Sequence, residues 1–161
     1  MPLLHRWLMM LFKWLCFLLY LMALSWEDIR RKSIPLLLLI SGALAGFLLC
    51  AAEYINNETE MLPLAKAHLG GLLLGLFLCF LSRLAKEAIG KGDGLCIISI
   101  SFWWESGLVF SLLLGGLCCL AVFGLSAGLL GGGIKNRKYP FMPFLGAAGL
   151  LLFVLALFRP S

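Results

Sequence analysis

Long uninterrupted runs of apolar residues are the feature that most constrains this chain. A helix that crosses a bilayer needs about 20 mostly apolar residues, and six segments of roughly this length lie between clusters of charged and turn-forming residues. These segments are 7–26, 34–52, 62–84, 85–104, 107–130 and 143–158. Lipid offers no hydrogen-bond partner to an exposed peptide group, so such segments cross as helices. The sequence therefore predicts an all-α integral membrane protein, a single domain over residues 1–161 with about six transmembrane helices.

Composition supports this interpretation and excludes a soluble domain. Hydrophobic residues make up 62% of the chain and charged residues 13%, with a mean hydropathy of +1.02, far from the usage of soluble proteins. The first apolar run has the outline of a cleavable signal peptide, but it is long enough to span and further apolar segments follow it. The six cysteines lie in or beside apolar segments without a CxxC pair, and we interpret them as packing residues rather than disulfides or metal ligands.

The fourth segment contains a charged residue at membrane depth. Its strictly apolar part, Gly94 to Trp104, covers only about half of the hydrocarbon core. A helix that begins near Ala85 reaches spanning length, and Asp93 then lies about 12 Å along its axis. A carboxylate at that depth is a candidate functional group.

Basic residues predict the orientation of the chain. They are concentrated after the first, third and fifth segments, as Arg30, Arg31, Lys32, Arg83, Lys86, Lys91, Lys135, Arg137 and Lys138. Because cytoplasmic loops hold the excess of Lys and Arg, we predict a multi-pass protein of the cell membrane with both termini outside. Membrane topology then explains the net charge of +5, and nothing in the sequence is typical of nucleic-acid binding.

The only aspartates, Asp28 and Asp93, both fall on the predicted cytoplasmic side, Asp28 just beyond the end of the first helix. Two carboxylates that meet near a low-dielectric boundary share one proton. One then draws a proton from water while the other donates a hydrogen bond to a scissile carbonyl, as in aspartic proteases. Gly90, Gly92 and Gly94 leave room for a substrate backbone and permit unusual backbone angles around Asp93.

Three separated motifs resemble the type IV leader peptidases, also called prepilin peptidases, and the related preflagellin peptidases. The motifs are Asp28-Ile29-Arg30-Arg31-Lys32-Ser33-Ile34-Pro35, Gly90-Lys91-Gly92-Asp93 and Lys138-Tyr139-Pro140-Phe141-Met142-Pro143-Phe144-Leu145. They are similar to the family's first aspartate motif, its GxGD motif and its late proline-phenylalanine motif. By itself the second motif also fits a loop whose Asp caps a helix, but the order of all three extends the resemblance over nearly the whole chain.

The resemblance implies an aspartic endopeptidase of the GxGD type, with Asp28 and Asp93 as the catalytic pair. Its substrates are prepilin-like precursors of pilus and secretion systems, cut between a short basic leader and a hydrophobic helix at the cytoplasmic membrane face. No cofactor or metal is implied. The residues that support the motifs are Gly90, Gly92, Gly94, Ile34, Pro35, Pro140 and Pro143. Candidate contacts to substrate or lipid headgroups are Arg30, Lys91 and Lys138, which serve equally well as topology determinants.

The chain also departs from the family pattern. Leu36 stands where members often have Asn after Ile-Pro, and Gly94-Leu95-Cys96 stands where a Lys commonly follows the GxGD aspartate. Bifunctional members carry a cytoplasmic insertion with paired cysteines for N-methylation. The segment from Glu27 to Ser33 is too short for one, so we predict cleavage without methylation.

Two other classes of function stay open at this point. One is a catalytically silent membrane protein of pilus or secretion assembly, and the other is a small transporter with Asp93 as an ion-binding or proton-relay group. Transport predicts polar residues along a path through the outer half of the bundle, where this sequence has few. A presenilin-like protease shares the GxGD motif, but an aspartate at a helix end followed by Ile-Pro favours the leader peptidases.

Overall fold

A computed structural model describes residues 2–31, 33–57, 61–84, 91–129 and 140–158, and all regular structure within these ranges is helical. The helices are α1 (Pro2–Arg31), α2 (Leu36–Asn57), α3 (Met61–Leu84), α4 (Lys91–Ile100), α5 (Ser106–Leu129) and α6 (Met142–Leu157). The all-α prediction is confirmed for the described residues.

Three helices are long and apolar enough to cross a membrane, over Trp7–Arg31, Lys66–Leu84 and Ser106–Ser126. Shorter apolar helices cover Leu36–Ala52 and Met142–Leu157. Large aliphatic side chains cover the outside of these helices, a surface far more apolar than a soluble protein presents. The structure is thus that of a membrane protein.

The first helix is longer than predicted, and this corrects the position of Asp28. α1 continues to Arg31, so Asp28 lies in its last turn rather than beyond its end. An ion pair one turn apart supports the extension, with Arg31 Nε 3.1 Å from Glu27 Oε2. Because a residue that precedes proline avoids helical angles, Ile34-Pro35 then separates α1 from α2.

The fourth helix is shorter than predicted at its C-terminal end. α4 stops at Ile100, and residues 101–103 form a turn closed by bonds of the i to i+3 type, including Trp103 N to Ile100 O at 2.9 Å. The ten residues of α4 rise only about 15 Å. Its predicted N-terminal extension falls on residues 85–90, which lie outside the described residues.

A chain of polar contacts joins α1, α4 and α2 inside the core. The Tyr20 hydroxyl donates to Ser99 Oγ at 2.7 Å, since the Ser99 hydroxyl itself donates to Leu39 O at 2.9 Å. The Tyr20 ring stacks on Trp103 with centroids 5.8 Å apart. The Trp103 indole Nε1 donates to Gly42 O at 2.9 Å. Each of the polar side-chain groups of Tyr20, Ser99 and Trp103 therefore has a partner.

Glycines allow α4 to pack directly on α3. Glycine has no Cβ atom. If one were added at Gly75, it would lie 2.5 Å from Ile98 Cγ1 and 2.8 Å from Ile98 N, and one added at Gly71 would lie 2.8 Å from Ser101 Cβ. Gly71 and Gly75 have the GxxxG spacing that permits close contact between membrane helices, and they form such a contact here. This contact holds the short α4, and with it Asp93, against a long membrane helix.

Lys13 is the one charged side chain in the middle of the apolar part of α1. Only 6% of it is exposed, and its Nζ lies 4.6 Å from the centroid of the Trp104 ring. A desolvated cation over an indole gains about 2 kcal/mol. The residue is therefore accommodated in the bundle rather than exposed to lipid.

The α3–α4 contact predicts a destabilising effect of Gly75→Ala. The new methyl group clashes with the backbone of Ile98, and we expect the free energy of unfolding to fall by about 1 to 2 kcal/mol despite the better helix propensity of Ala. Denaturant titration in mixed micelles measures this value. The matched control is Gly124→Ala in α5, where nothing lies within 4 Å of the added atom. Equal stability of the two variants would contradict the packing role of Gly75.

Candidate active site

The two aspartates lie at the same depth in the bundle. Phe17 contacts Trp103, whereas Tyr20, further along α1, bonds to Ser99, which comes before Trp103 in the sequence. α1 and α4 therefore run antiparallel. Asp28 follows Tyr20 on α1 by about 12 Å, and Asp93 precedes Ser99 on α4 by about 9 Å. Because the helices are antiparallel, both displacements from the Tyr20–Ser99 hydrogen bond point in the same direction. The two residues therefore differ by only about 3 Å in level.

A buried thiol lies within electrostatic range of both carboxylates. Cys96 follows Asp93 by one helical turn and is fully buried. The charges of Asp93, on the same helix, and of Asp28, on α1, both act on its Sγ atom. Cys96 thus lies near both acidic residues, which 64 residues of sequence separate.

Asp28 binds the start of the last helix. The Met142 main-chain N–H donates to Asp28 Oδ2 at 3.1 Å. α6 needs such an acceptor, because Phe141 at its N-cap supplies no side-chain hydrogen bond and helix N-termini have unpaired N–H groups. The Ser25 hydroxyl contacts Met142 O at 3.1 Å and Leu21 O at 2.7 Å. The end of α1 and the start of α6 are therefore joined on both sides of Met142.

The Ile-Pro and late proline residues lie at helix starts. Pro35 precedes α2, and its carbonyl accepts N–H groups from the first turn of that helix. Ile34 is half-buried, and its Cδ1 lies 3.7 Å from the position of a Cβ at Gly92, so the first and second motifs touch. Pro140 precedes α6, and Pro143 lies in its first turn, where a missing N–H costs nothing.

The glycines beside Asp93 have different surroundings. A Cβ atom added at Gly94 would lie 2.6 Å from Cys79 Sγ and 2.8 Å from Cys79 N. α3 therefore covers Gly94, and the role of this glycine is helix packing. A Cβ at Gly92 meets only Ile34. Both glycines have ordinary φ angles, and the expected unusual backbone angles are not found at these two positions.

The remaining candidate residues are placed in part. Gly90 and Lys138 lie outside the described residues, and Lys91 is the first residue of α4. Arg30 is exposed, with its guanidinium 5.9 Å from the Trp26 ring, a position at which it can meet a headgroup or a substrate. Within the described part of the chain, no three His, Cys, Asp or Glu side chains cluster as metal ligands do.

Sequence reasoning did not single out Cys96, one turn after Asp93, or Ser25 and the main chain of Met142, which lie beside Asp28. One signal was present for Met142. The residues before α6 include no Ser, Thr, Asp or Asn directly at its start, the types that cap a helix locally. A cap from a distant side chain was therefore to be expected. Nothing comparable in the sequence distinguishes Cys96 from the other cysteines.

The Asp28 contact predicts that Asp28→Ala and Asp28→Asn differ in stability. Alanine leaves the Met142 N–H without its acceptor, and the loss of a helix cap costs about 1 kcal/mol. Asparagine retains an oxygen that accepts this bond. We expect Asp28→Ala to unfold at lower denaturant than Asp28→Asn in the same micelles. Coincident unfolding curves would show that the cap contributes nothing to stability.

Comparison with known proteins gives one family. The model of the type IV leader peptidase family matches residues 15–125, more than half of the chain. No curated protein and no solved structure matches the chain. The match includes both aspartate motifs and ends before the late proline-phenylalanine motif.

Proposed function

Because the chain belongs to the type IV leader peptidase family, we propose that it is an aspartic endopeptidase of the GxGD type that removes the short basic leader from prepilin-like precursors. The observation that carries the proposal is the placement of Asp28 and Asp93 at similar levels of the bundle, which follows from the Tyr20–Ser99 hydrogen bond. They are the only two aspartates of the chain, and they lie on separate helices, α1 and α4.

The proposed reaction uses the two carboxylates in different protonation states. The ionised carboxylate takes a proton from a water molecule, whose oxygen attacks the scissile carbonyl carbon. The protonated carboxyl donates a hydrogen bond to the carbonyl oxygen, which stabilises the charge that develops there. Transfer of a proton to the leaving nitrogen breaks the peptide bond. No cofactor takes part in these steps.

The surroundings of the pair support a precursor with an apolar helix. Exposed apolar residues lie close in sequence to both aspartates. They are Ile29, Leu36 and Leu37 near Asp28, and Leu95 two residues after Asp93. A hydrophobic substrate helix can pack against such a surface within the bilayer. Its basic leader then extends past the end of α1 into the cytoplasm, where the cleavage site reaches the carboxylates.

The link between α1 and α2 supports cleavage without N-methylation. α1 ends at Arg31 and α2 begins at Leu36, so the four residues between them hold no inserted domain. We therefore propose that this protein leaves the new N-terminus of its product unmodified.

We expect Asp28→Asn and Asp93→Asn each to lower the cleavage rate by at least about a hundredfold, because each removes an acid or base of the reaction. The test is co-expression of wild type or variant with prepilin-like precursors encoded near its gene. Mass determination of the product N-terminus reads both the cleavage site and its methylation state. Asp→Asn preserves size, so the variants should remain inserted.

Glu105→Gln is the matched control, since Glu105 is an exposed carboxylate of the α4–α5 turn away from the pair. This variant should cleave at the wild-type rate. Activity retained in either Asp variant would exclude the dyad. If the wild type is inserted but cleaves no precursor, a silent assembly protein becomes the better interpretation.

We propose six spans with both termini outside and the active site at the cytoplasmic face of the cell membrane. Single cysteines at two exposed positions test this topology: Ser33→Cys between α1 and α2, and Glu105→Cys between α4 and α5. A membrane-impermeant thiol reagent added to intact cells should modify position 105 and leave position 33 unmodified. Wild-type protein controls for its own cysteines, and the reverse pattern would invert the topology.

A further inference from the structure

We propose that the start of α6 positions Asp28, with the Met142 main-chain N–H holding the Asp28 carboxylate in its reactive orientation. This inference rests on the proposed peptidase function. It gives the late proline-phenylalanine segment, which the family match does not reach, a part in catalysis beyond the packing of α6.

In the first turn of α6, the N–H group that bonds to α1 is that of Met142. Pro143 has no N–H. The N–H groups of Phe144 and Leu145 both bond to Phe141 O, at 3.1 and 3.2 Å. Met142 N–H therefore remains for an acceptor outside the helix, and that acceptor is Asp28 Oδ2.

The donor is fixed in place from several directions. Met142 is 1% exposed, so water does not compete for its N–H. Its carbonyl accepts a hydrogen bond from Ser25, three residues before Asp28 on the same helix. Two hydrogen bonds, at Met142 N and Met142 O, thus oppose a sliding movement of α6 along α1, and they tie the Asp28 carboxylate to the main chain of this one residue.

The bond also suits the chemistry of a base. A main-chain N–H can only donate, and its bond to an ionised carboxylate is stronger than a neutral one. The positive end of the α6 dipole acts in the same direction. The bond uses Oδ2, and the proposed reaction assigns Oδ1 to the water molecule.

Small errors in the position of a reacting group have large effects on rate, since a displacement of about 1 Å can cost a hundredfold. Removal of the Met142 N–H should therefore lower kcat by roughly ten- to a hundredfold. KM should stay within about twofold, because the bond contacts Asp28 rather than the precursor.

Replacement of a single amide by an ester makes this change without altering a side chain. Full-length protein is made with the α-hydroxy analogue of methionine at position 142, which exchanges N–H for oxygen. The matched control carries the α-hydroxy analogue of leucine at position 145, which removes another N–H from the same turn of α6. We expect a loss of kcat in the first protein only. Equal kcat values in the two proteins would overturn the proposal.

Carbon-13 NMR of the carboxyl groups supplies a readout that is independent of cleavage. The chain has only two aspartates, so aspartate labelled at its side-chain carboxyl gives two signals. Asp93 is the only aspartate that follows a glycine, and paired labelling of glycine and aspartate assigns it. The Asp28 signal should shift in the Met142 ester and not in the Leu145 ester. An unmoved Asp28 signal would overturn the positioning role even if the wild type cleaves its precursor.

Ser25→Ala is a second, milder variant in case the ester at position 142 prevents folding. It removes the hydrogen bond to Met142 O and retains the Met142 N–H. We expect a smaller fall in kcat and a smaller shift of the Asp28 signal in the same direction as in the Met142 ester. Ser25→Thr keeps the hydroxyl group and should restore both values, whereas wild-type kcat and an unshifted signal in Ser25→Ala would contradict the proposal.

Discussion

The hydrogen bonds that cross from Tyr20 through Ser99 to Leu39 set the relative positions of α1, α2 and α4. Lipid is as apolar as the helix surfaces, so burial of apolar area does little to choose between alternative packings of membrane helices. Hydrogen bonds and close contacts make the choice instead. The Tyr20–Ser99 bond fixes the register of α1 against α4, and the common depth of Asp28 and Asp93 follows from that register.

Close packing against α3 also determines the position of α4. Within the described residues, α4 is too short to cross the hydrocarbon core, and it depends on neighbours for its position. Gly75 of α3 and Gly94 of α4 remove the side chains that would separate the two backbones. The GxGD motif therefore stands on a surface shaped by glycines on both helices, which gives Gly94 a structural reason to follow the aspartate.

The helical class could be predicted from the sequence because it depends on a local feature, the apolar runs. The catalytic role of the two aspartates stays a prediction that rests on short motifs. Helix ends were harder to predict. The charged residues after Trp26 look like a loop, but their ion pair one turn apart lets α1 continue. The aromatic residues after Ile100 look like a helix, but the Trp103 indole bonds to α2 and the chain turns there. The Asp28–Met142 bond joins residues 114 positions apart, and no local pattern encodes such a pair.

The contact between Lys13 and Trp104 bears on the order in which the protein is made. A lysine near the middle of a membrane helix raises the free energy of insertion by about 2.5 to 3.5 kcal/mol, so α1 alone is a poorer membrane anchor than its length suggests. The indole that accommodates this cation belongs to the turn after α4, which the ribosome makes much later. Biogenesis of the first helix is therefore completed only when more than half of the chain has been synthesised, and the peptide unit that holds Asp28 comes later still. A nascent chain therefore carries Asp28 well before it gains the Met142 main-chain contact to that residue.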